Sequence, residues 1–219
     1  GYIILTGTFR QTVDFDPGIG SSTLTSSSNY RTAFVLKLTT NSIFVWAKNP
    51  NWRTEGVGVA VGSNGDVYAS LNTIDQQPGE ITYFPGPGSW NFPSVSAEFF
   101  VWKLASNNGA TNWVYEGKNA KVQPLASRSI IVNGSDEVLV TGTFNGSTRY
   151  LNLGQFVGGP NDISGSSAND GFVFKINSNG NYMWHRVFQS NTNVYSNTIH
   201  YVDEASFIIG GHFNGSVNF

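Results

Sequence analysis

Short apolar runs separated by turn-forming residues recur along the whole chain. The run at residues 1–9 (GYIILTGTF) returns at 137–144 (EVLVTGTF) and 206–213 (SFIIGGHF), with a weaker copy at 66–71 (DVYASL). Other runs, such as FVL at 34–36, are apolar at nearly every position instead of alternating with polar residues. Because a sheet with one face in water would alternate, these runs predict β-strands that are covered on both faces.

A second repeated pattern fixes the length of the repeat. It consists of an apolar run with one lysine, followed by a tryptophan: FVLKL, FVWKL and FVFKI contain Lys37, Lys103 and Lys175, and the tryptophans are Trp46, Trp113 and Trp184. The lysines are 66 and 72 residues apart and the tryptophans 67 and 71 residues apart. A period of about 65 to 72 residues that contains only strand-like runs is typical of a propeller or another β-repeat array.

Each repeat contains four strand-like runs. In the second repeat they are residues 57–61, 67–71, 97–104 and 112–116, with turn residues between them. We therefore predict an all-β fold, a β-propeller segment of about three four-stranded antiparallel blades. Since a closed propeller needs about four blades or more, we expect the segment to be part of a larger propeller. The single domain 1–219 divides into repeats at about 1–56, 57–126, 127–195 and 196–219, of which the first and last are incomplete.

The composition excludes several classes of function. Of the 219 residues 12% are charged, and the formal net charge is −2, so neither a nucleic-acid-binding surface nor a polybasic membrane patch is expected. The chain contains no cysteine, which excludes disulfides, thiol catalysis and cysteine-based zinc sites. It has 25 glycines and 14% aromatic residues, as expected for many short strands joined by tight turns.

Residues that recur in every repeat are interpreted as framework, and residues that break the repeat as candidates for function. The recurring tryptophans are thus expected to pack between neighbouring blades. The recurring lysines are expected to place their ammonium groups at the sheet edge or to pair with a neighbouring blade. Trp52 lies in a connector after Asn-Pro-Asn, and Trp90 and Phe92 lie in a Pro/Gly-rich insertion that the other repeats lack. Exposed aromatic rings on rigid loops can stack on sugar rings or anchor a partner protein. The alternative is that these rings fold back over an open blade end.

Asp14 and Asp16 form the strongest candidate for a metal site. They stand two residues apart in the turn Asp-Phe-Asp-Pro-Gly, as calcium ligands do in a loop. The number of oxygen ligands is small, so an Asx turn that caps a strand is the competing interpretation. We predict no cofactor and no other metal site, with calcium at these two residues as the alternative.

At these patterns the chain resembles the bacterial β-propeller repeat family known as SBBP. The resemblance is carried by LTGTF at 5–9, TVDFDPG at 12–18, AFVLKL at 33–38 and FVWAK at 44–48. The second and third repeats depart from the TVDFDPG motif. Members of this family are mostly modules of large secreted bacterial proteins, so the resemblance implies an extracellular or cell-surface location.

Two functions compete at this stage. The first is a non-enzymatic binding or spacer module that contacts glycan or protein through its loops, with other blades of the same protein or a partner chain beside it. The alternative is a propeller enzyme acting on polysaccharide, with its acids drawn from Asp75, Glu80, Glu98 and Glu116. The three histidines show no catalytic or metal-binding spacing, so we expect no enzyme activity.

Overall fold

The computed structural model describes residues 1–27, 30–74, 81–86, 90–93, 98–119, 125–145, 151–152, 162–163, 165–166 and 168–218. Within these residues the chain forms β-strands and no α-helix, which confirms the all-β prediction. The strands are β1 (Tyr2–Phe9), β2 (Thr12–Asp14), β3 (Thr23–Thr25), β4 (Thr32–Thr39), β5 (Phe44–Lys48), β6 (Thr54–Val61), β7 (Val67–Thr73), β8 (Ile81–Phe84), β9 (Trp90–Pro93), β10 (Glu98–Leu104), β11 (Thr111–Asn119), β12 (Leu125–Val132), β13 (Val138–Asn145), β14 (Leu151–Asn152), β15 (Asp162–Ile163), β16 (Asn169–Ile176), β17 (Tyr182–Ser190), β18 (Val194–Tyr201), β19 (Phe207–Phe213) and β20 (Val217–Asn218).

The strands form four larger antiparallel sheets. Sheet I has the order β1-β4-β5, and sheet IV is the pair β18-β19. Sheet II contains β6-β7-β10-β11 and is extended at its outer edge by β14 and β15. Sheet III contains β12-β13-β16-β17 and is extended by β20. The four main strands of sheets II and III thus follow one another in chain order.

A short hairpin lies between the second and third main strands of successive repeats. These hairpins are β2–β3, β8–β9 and β14–β15. β14 pairs with β11, the last main strand of the preceding sheet, and β20 pairs in the same way with β17. The prediction that the segment around Trp90 is an insertion without counterparts was therefore wrong, because it forms one of these hairpins.

Both faces of sheet II are buried against a neighbouring sheet. Phe99 and Val101 belong to the hydrophobic cluster shared with sheet III, whereas Phe100 and Trp102 belong to the cluster shared with sheet I. All four side chains are fully buried. Successive residues of a strand point to opposite faces, so a strand covered on both faces needs an uninterrupted apolar run. This confirms the prediction made from the non-alternating runs.

The first two of the recurring lysines and tryptophans contact the next sheet at its turn between the third and fourth strands. The Lys37 ammonium donates to the carbonyl oxygen of Ser106 at 2.7 Å, and the Trp46 indole N–H donates to the same oxygen at 3.2 Å. One repeat later, the Trp113 indole N–H donates to the carbonyl oxygen of Ser178 at 3.0 Å. These contacts confirm the prediction for Lys37, Trp46 and Trp113, which join neighbouring sheets. Lys175 instead pairs with Glu137, beside β13 of its own sheet.

The turn that receives Trp113 requires a glycine. Gly180 has a φ of +80°, in the left-handed region that other residues rarely adopt. A Cβ atom at this position would also lie 2.9 Å from the indole ring of Trp113. Any larger residue would strain the turn and displace the tryptophan from it.

Candidate functional site

The connector between β5 and β6, residues 49–53, is held between two of the inserted hairpins. The Asn51 backbone N–H donates to the Tyr83 carbonyl oxygen at 3.0 Å, and the Tyr83 N–H donates to the Asn51 side-chain oxygen at 2.6 Å. Tyr83 lies on β8, 32 residues further along the chain. At the other side, the Asn49 amide contacts the carbonyl oxygen of Thr25, at the end of β3, at 3.4 Å. The connector therefore has a fixed position although it lies outside the sheets.

Aromatic and cationic groups stack at this connector. The rings of Tyr30 and Trp52 have centroids 5.7 Å apart at an angle of 59°. The Arg53 guanidinium lies 3.7 Å from the centroid of the Tyr30 ring, which is a close cation–π contact. We call Tyr30, Asn51, Trp52, Arg53 and Tyr83 the aromatic site. Two of these rings face water in part, because Tyr30 and Tyr83 are each 38% exposed.

The hairpin β8–β9 places its outward face beside the connector and its inward face on the core. Ile81 and Tyr83 are exposed, whereas Thr82 and Phe84 between and after them are fully buried. Successive side chains of a strand point to opposite faces. Tyr83 therefore projects outward, and the next residue, Phe84, projects inward. The sequence ITYF contains this alternation, which was the available signal for Tyr83.

Trp90 and Phe92 lie on the inward face of this hairpin. Both pack against the cluster shared by sheets I and II, and the Phe92 ring lies 5.2 Å from that of Phe100. The structure therefore separates the aromatic candidates: Trp52 belongs to the connector, and the other two fold back over the sheet, as the alternative interpretation expected.

Asp14 and Asp16 cap a turn through their own backbone. One Asp14 carboxylate oxygen accepts from the N–H groups of Asp16 at 3.0 Å and Ser22 at 2.8 Å. The Asp16 carboxylate accepts from the N–H of Gly18 at 2.8 Å. These backbone hydrogen bonds to Asp14 hold its pKa below the usual value. Among the described residues no group of three or more acidic or histidine side chains could hold a metal ion. Calcium binding here stays a prediction.

Glu116 is the one predicted catalytic acid whose side chain the structure describes. It lies on β11, and its carboxylate pairs with the Lys118 ammonium at 2.9 Å. Burial raises the pKa of Glu116, and the nearby lysine offsets this only in part. Asp75, Glu80 and the side chain of Glu98 lie outside the described residues. The convergence of acids that the enzyme hypothesis requires is therefore untested.

The raised pKa of Glu116 predicts a pH-dependent stability. A carboxyl whose pKa is higher in the folded than in the unfolded chain destabilises the fold when it ionises, so stability falls as pH rises above the unfolded value of 4.5. We expect Glu116→Gln to raise the melting temperature at pH 8, by an amount that shrinks toward pH 4.5. Thermal melts followed by circular dichroism at both pH values measure this.

Glu137 provides a control for which the opposite change in melting temperature is expected at pH 8. Its hydrogen-bonded ion pair with Lys175, at 2.5 Å, holds the pKa of Glu137 below its usual value. Its contribution to stability is present above the unfolded pKa and is lost as pH falls. Glu137→Gln should therefore lower the melting temperature at pH 8. If both variants shift the melting temperature in the same direction, burial does not dominate at Glu116.

The aromatic site offers aromatic rings and hydrogen-bonding groups. Residues 49–53 (NPNWR) contain no carboxylate and no histidine. The Trp52 indole N–H is buried and has no hydrogen-bond partner among the described residues. A buried donor without a partner costs about 1–3 kcal/mol.

Because no match to a protein family or a curated protein indicates a function, the function has to be inferred from this geometry. Within the described part of the chain, no helix has the length and apolarity needed to cross a membrane. The resemblance to the SBBP repeats rests on the motifs alone and stays a prediction. No protein-family model matches the chain, and no curated protein matches it either.

Proposed function

We propose that sheets I to IV are successive blades of a β-propeller. Sheets II and III support this proposal, because each has four antiparallel main strands in chain order. The hydrogen bonds that join sheet I to the Ser106 turn recur one repeat later at the Ser178 turn, so successive sheets pack in the same way. An array with a constant step between neighbours is what a propeller requires.

We propose further that the segment is a non-enzymatic binding module and that its ligand is a glycan. The observation that carries this is the contact of Tyr30 with Trp52 and Arg53, together with the partly exposed Tyr83 bound to the same connector. Aromatic faces pack against the C–H groups of a sugar ring, and amide and guanidinium groups bond its hydroxyls. The two hydrogen bonds between Asn51 and Tyr83 fix the site before binding, which reduces the entropy lost on association.

The other connector that the structure describes lacks the aromatic and cationic residues of the site. Residues 191–193 (NTN) join β17 to β18 and contain only small polar side chains. Asn193 there accepts from the Asn169 backbone N–H at 3.2 Å, so this connector is also held by asparagine. The asparagine contacts thus recur as framework, whereas the aromatic and cationic residues of the first connector do not. This difference supports a binding role for the first connector.

The proposed setting is the bacterial cell surface or the extracellular space. There the segment would act as a binding or spacer module whose neighbours are further blades of the same protein or a partner chain. The resemblance to SBBP repeats and the neutral, Ser/Thr/Asn-rich composition support this setting.

The proposed function predicts that exposed aromatic residues of the site are needed for glycan binding. Affinity electrophoresis of the wild-type chain through gels that contain different neutral polysaccharides should identify one that retards it. Tyr83→Ala and Trp52→Ala should each weaken that retardation at least about tenfold, which corresponds to about 1.4 kcal/mol. Tyr2→Ala is the matched control, because Tyr2 is 60% exposed and lies on β1 outside the site.

The outcomes separate the alternatives. Loss of binding in both site variants with unchanged circular dichroism spectra would support the proposal. Retardation that is equal in all four proteins would show that the glycan binds elsewhere and that the aromatic site is not the binding site. If no polysaccharide retards the wild-type chain, the ligand class is wrong.

A further inference from the structure

His185 of β17 lies on the face of sheet III that packs against sheet II. It pairs with Phe174 of β16, which is fully buried in the hydrophobic cluster between these two sheets. Across the junction the Tyr115 ring of β11 stacks on Phe174, with ring centroids 5.4 Å apart. Sheets II and III each have all four main strands, so this junction lies inside the array and not at either of its ends.

A β-bulge places a tyrosine beside this histidine. The register of β16 and β17 shifts between Lys175 and Ile176, where Met183 is the extra residue of β17. Residues three apart on a regular strand point to opposite faces, whereas the extra residue brings Tyr182 and His185 to the same face. The Tyr182 hydroxyl oxygen and His185 Nδ1 lie 2.6 Å apart and form a hydrogen bond.

The position of His185 is apolar in the other sheets. Sheets I and II have bulges at the same place, and their registers align His185 with Ala47 of β5 and Val114 of β11. Ala47 is buried, and Val114 packs against the cluster between sheets I and II. An ionisable residue thus replaces an apolar one at a junction between sheets. Because residues that break the repeat are the candidates for function, this exception marks His185.

The described strands around His185 place no carboxylate beside its ring. On β17 the adjacent charged residue is Arg186, whose guanidinium donates to the His185 carbonyl oxygen at 2.8 Å. On β11 Tyr115 faces the junction, so Glu116 points to the opposite face. On β16 the nearest carboxylate of this face is Asp170, four residues, or about 13 Å, from the position opposite His185. A positively charged ring would therefore have no counter-charge at this junction.

Protonation of His185 is unfavourable in the folded chain. Burial, and after it the positive charge of Arg186, lowers the pKa of His185 below its usual value. The neutral ring can accept a hydrogen bond from Tyr182 at Nδ1, whereas the imidazolium only donates. Because the unfolded chain takes up this proton at a higher pH than the folded chain, stability falls as pH falls below the unfolded value of 6.5.

We propose that His185 is a pH-sensitive latch at the junction between sheets II and III. At neutral pH its ring packs at the junction and accepts from Tyr182. On acidification the charged ring is better hydrated outside the junction, so the two sheets separate more readily along β11 and β17. The array then gains flexibility at one junction while its sheets stay folded. This latch is independent of glycan binding.

Hydrogen–deuterium exchange of the purified full chain, followed by mass spectrometry, tests the latch. The wild-type chain and His185→Gln are compared at the same pH, so the intrinsic pH dependence of exchange cancels. The glutamine is neutral and can still accept from Tyr182. For peptides that cover β11 and β17, the ratio of the wild-type exchange rate to that of the variant should rise at least about threefold between pH 7.5 and pH 5.5.

Two further variants locate the effect. Arg186→Gln removes the neighbouring positive charge from an exposed side chain and leaves the burial of His185, so it should reduce the acid-dependent rise in exchange without abolishing it. His200→Gln is the matched control, because His200 is an exposed histidine of β18, outside this junction. It should exchange like the wild-type chain at both pH values.

Either of two results would overturn the proposal. A ratio between the wild-type chain and His185→Gln that is the same at pH 7.5 and pH 5.5 would show that this histidine does not control the junction. A rise of the same size in peptides of sheet I would show that acid loosens the whole chain and not one junction.

Discussion

Replacing Asp66 by alanine is expected to lower the free energy of unfolding by about 3–5 kcal/mol, the usual cost of leaving a buried charge without its partner. Asp66 and Lys103 are each 8% exposed, and their charged groups lie 3.4 Å apart. Asp66 also accepts from the Ser106 backbone N–H at 3.0 Å, in the turn that receives Lys37 and Trp46. Its loss would therefore disturb the ion pair and the contact between sheets I and II together. Urea denaturation followed by tryptophan fluorescence measures the change.

A double variant distinguishes the stability lost through the unpaired charge of Lys103 from the stability lost through the missing hydrogen bonds of Asp66. Lys103→Met in the Asp66→Ala background removes the unpaired ammonium and keeps a similar side-chain volume. It should recover at least about half of the lost stability if the buried charge dominates. A loss below about 1 kcal/mol in the single variant would show that water solvates this pair in the folded chain, against the burial described here.

Trp113→Ala is expected to cost about 3 kcal/mol, the lower end of the range for a tryptophan because the ring is only half-buried. The ring packs against Gly180, and its N–H donates to the Ser178 carbonyl oxygen, so the substitution weakens the junction between sheets II and III. The melting temperature measures the effect.

Trp113→Phe is the matched control for this prediction. It keeps an aromatic ring at the junction and removes the hydrogen bond, which should cost about 1 kcal/mol. If Trp113→Ala melted like the wild-type chain, the recurring tryptophans would not hold neighbouring sheets together, and the support for a propeller would be lost.

The repeat period made the framework predictable from the sequence. Lys37 and Lys103 occupy the same position in successive repeats. Their ammonium groups contact equivalent turns of the next sheet, at Ser106 and Ser178 respectively. A residue that recurs at a fixed phase meets the same environment in each repeat, because each repeat folds into the same unit. The apolar runs predicted burial on both faces because successive residues of a strand point to opposite faces, so that a run without polar residues needs a neighbour on each side.

The position of the aromatic site could not be predicted, because it depends on contacts distant in sequence. Asn51 and Tyr83 are brought together by the folding of two sheets, and no periodicity relates them. For Trp90 the sequence left two interpretations open, an exposed loop ring and a ring folded back over the sheet. Its Pro/Gly-rich neighbours suggested a loop, whereas the alternation of Trp90, Asn91 and Phe92 was the better guide to an inward-facing strand.

The pairing of β14 with β11 has a consequence for synthesis on the ribosome. β11 ends at Asn119 and its partner begins at Leu151, in the following repeat. At about 5–20 residues per second, the roughly 30 residues between them take about 2–6 s to be translated. During that time the outer edge of each new sheet is exposed to other nascent chains on the same messenger RNA. A long array of such repeats would therefore depend on chaperones during translation more than its final stability suggests.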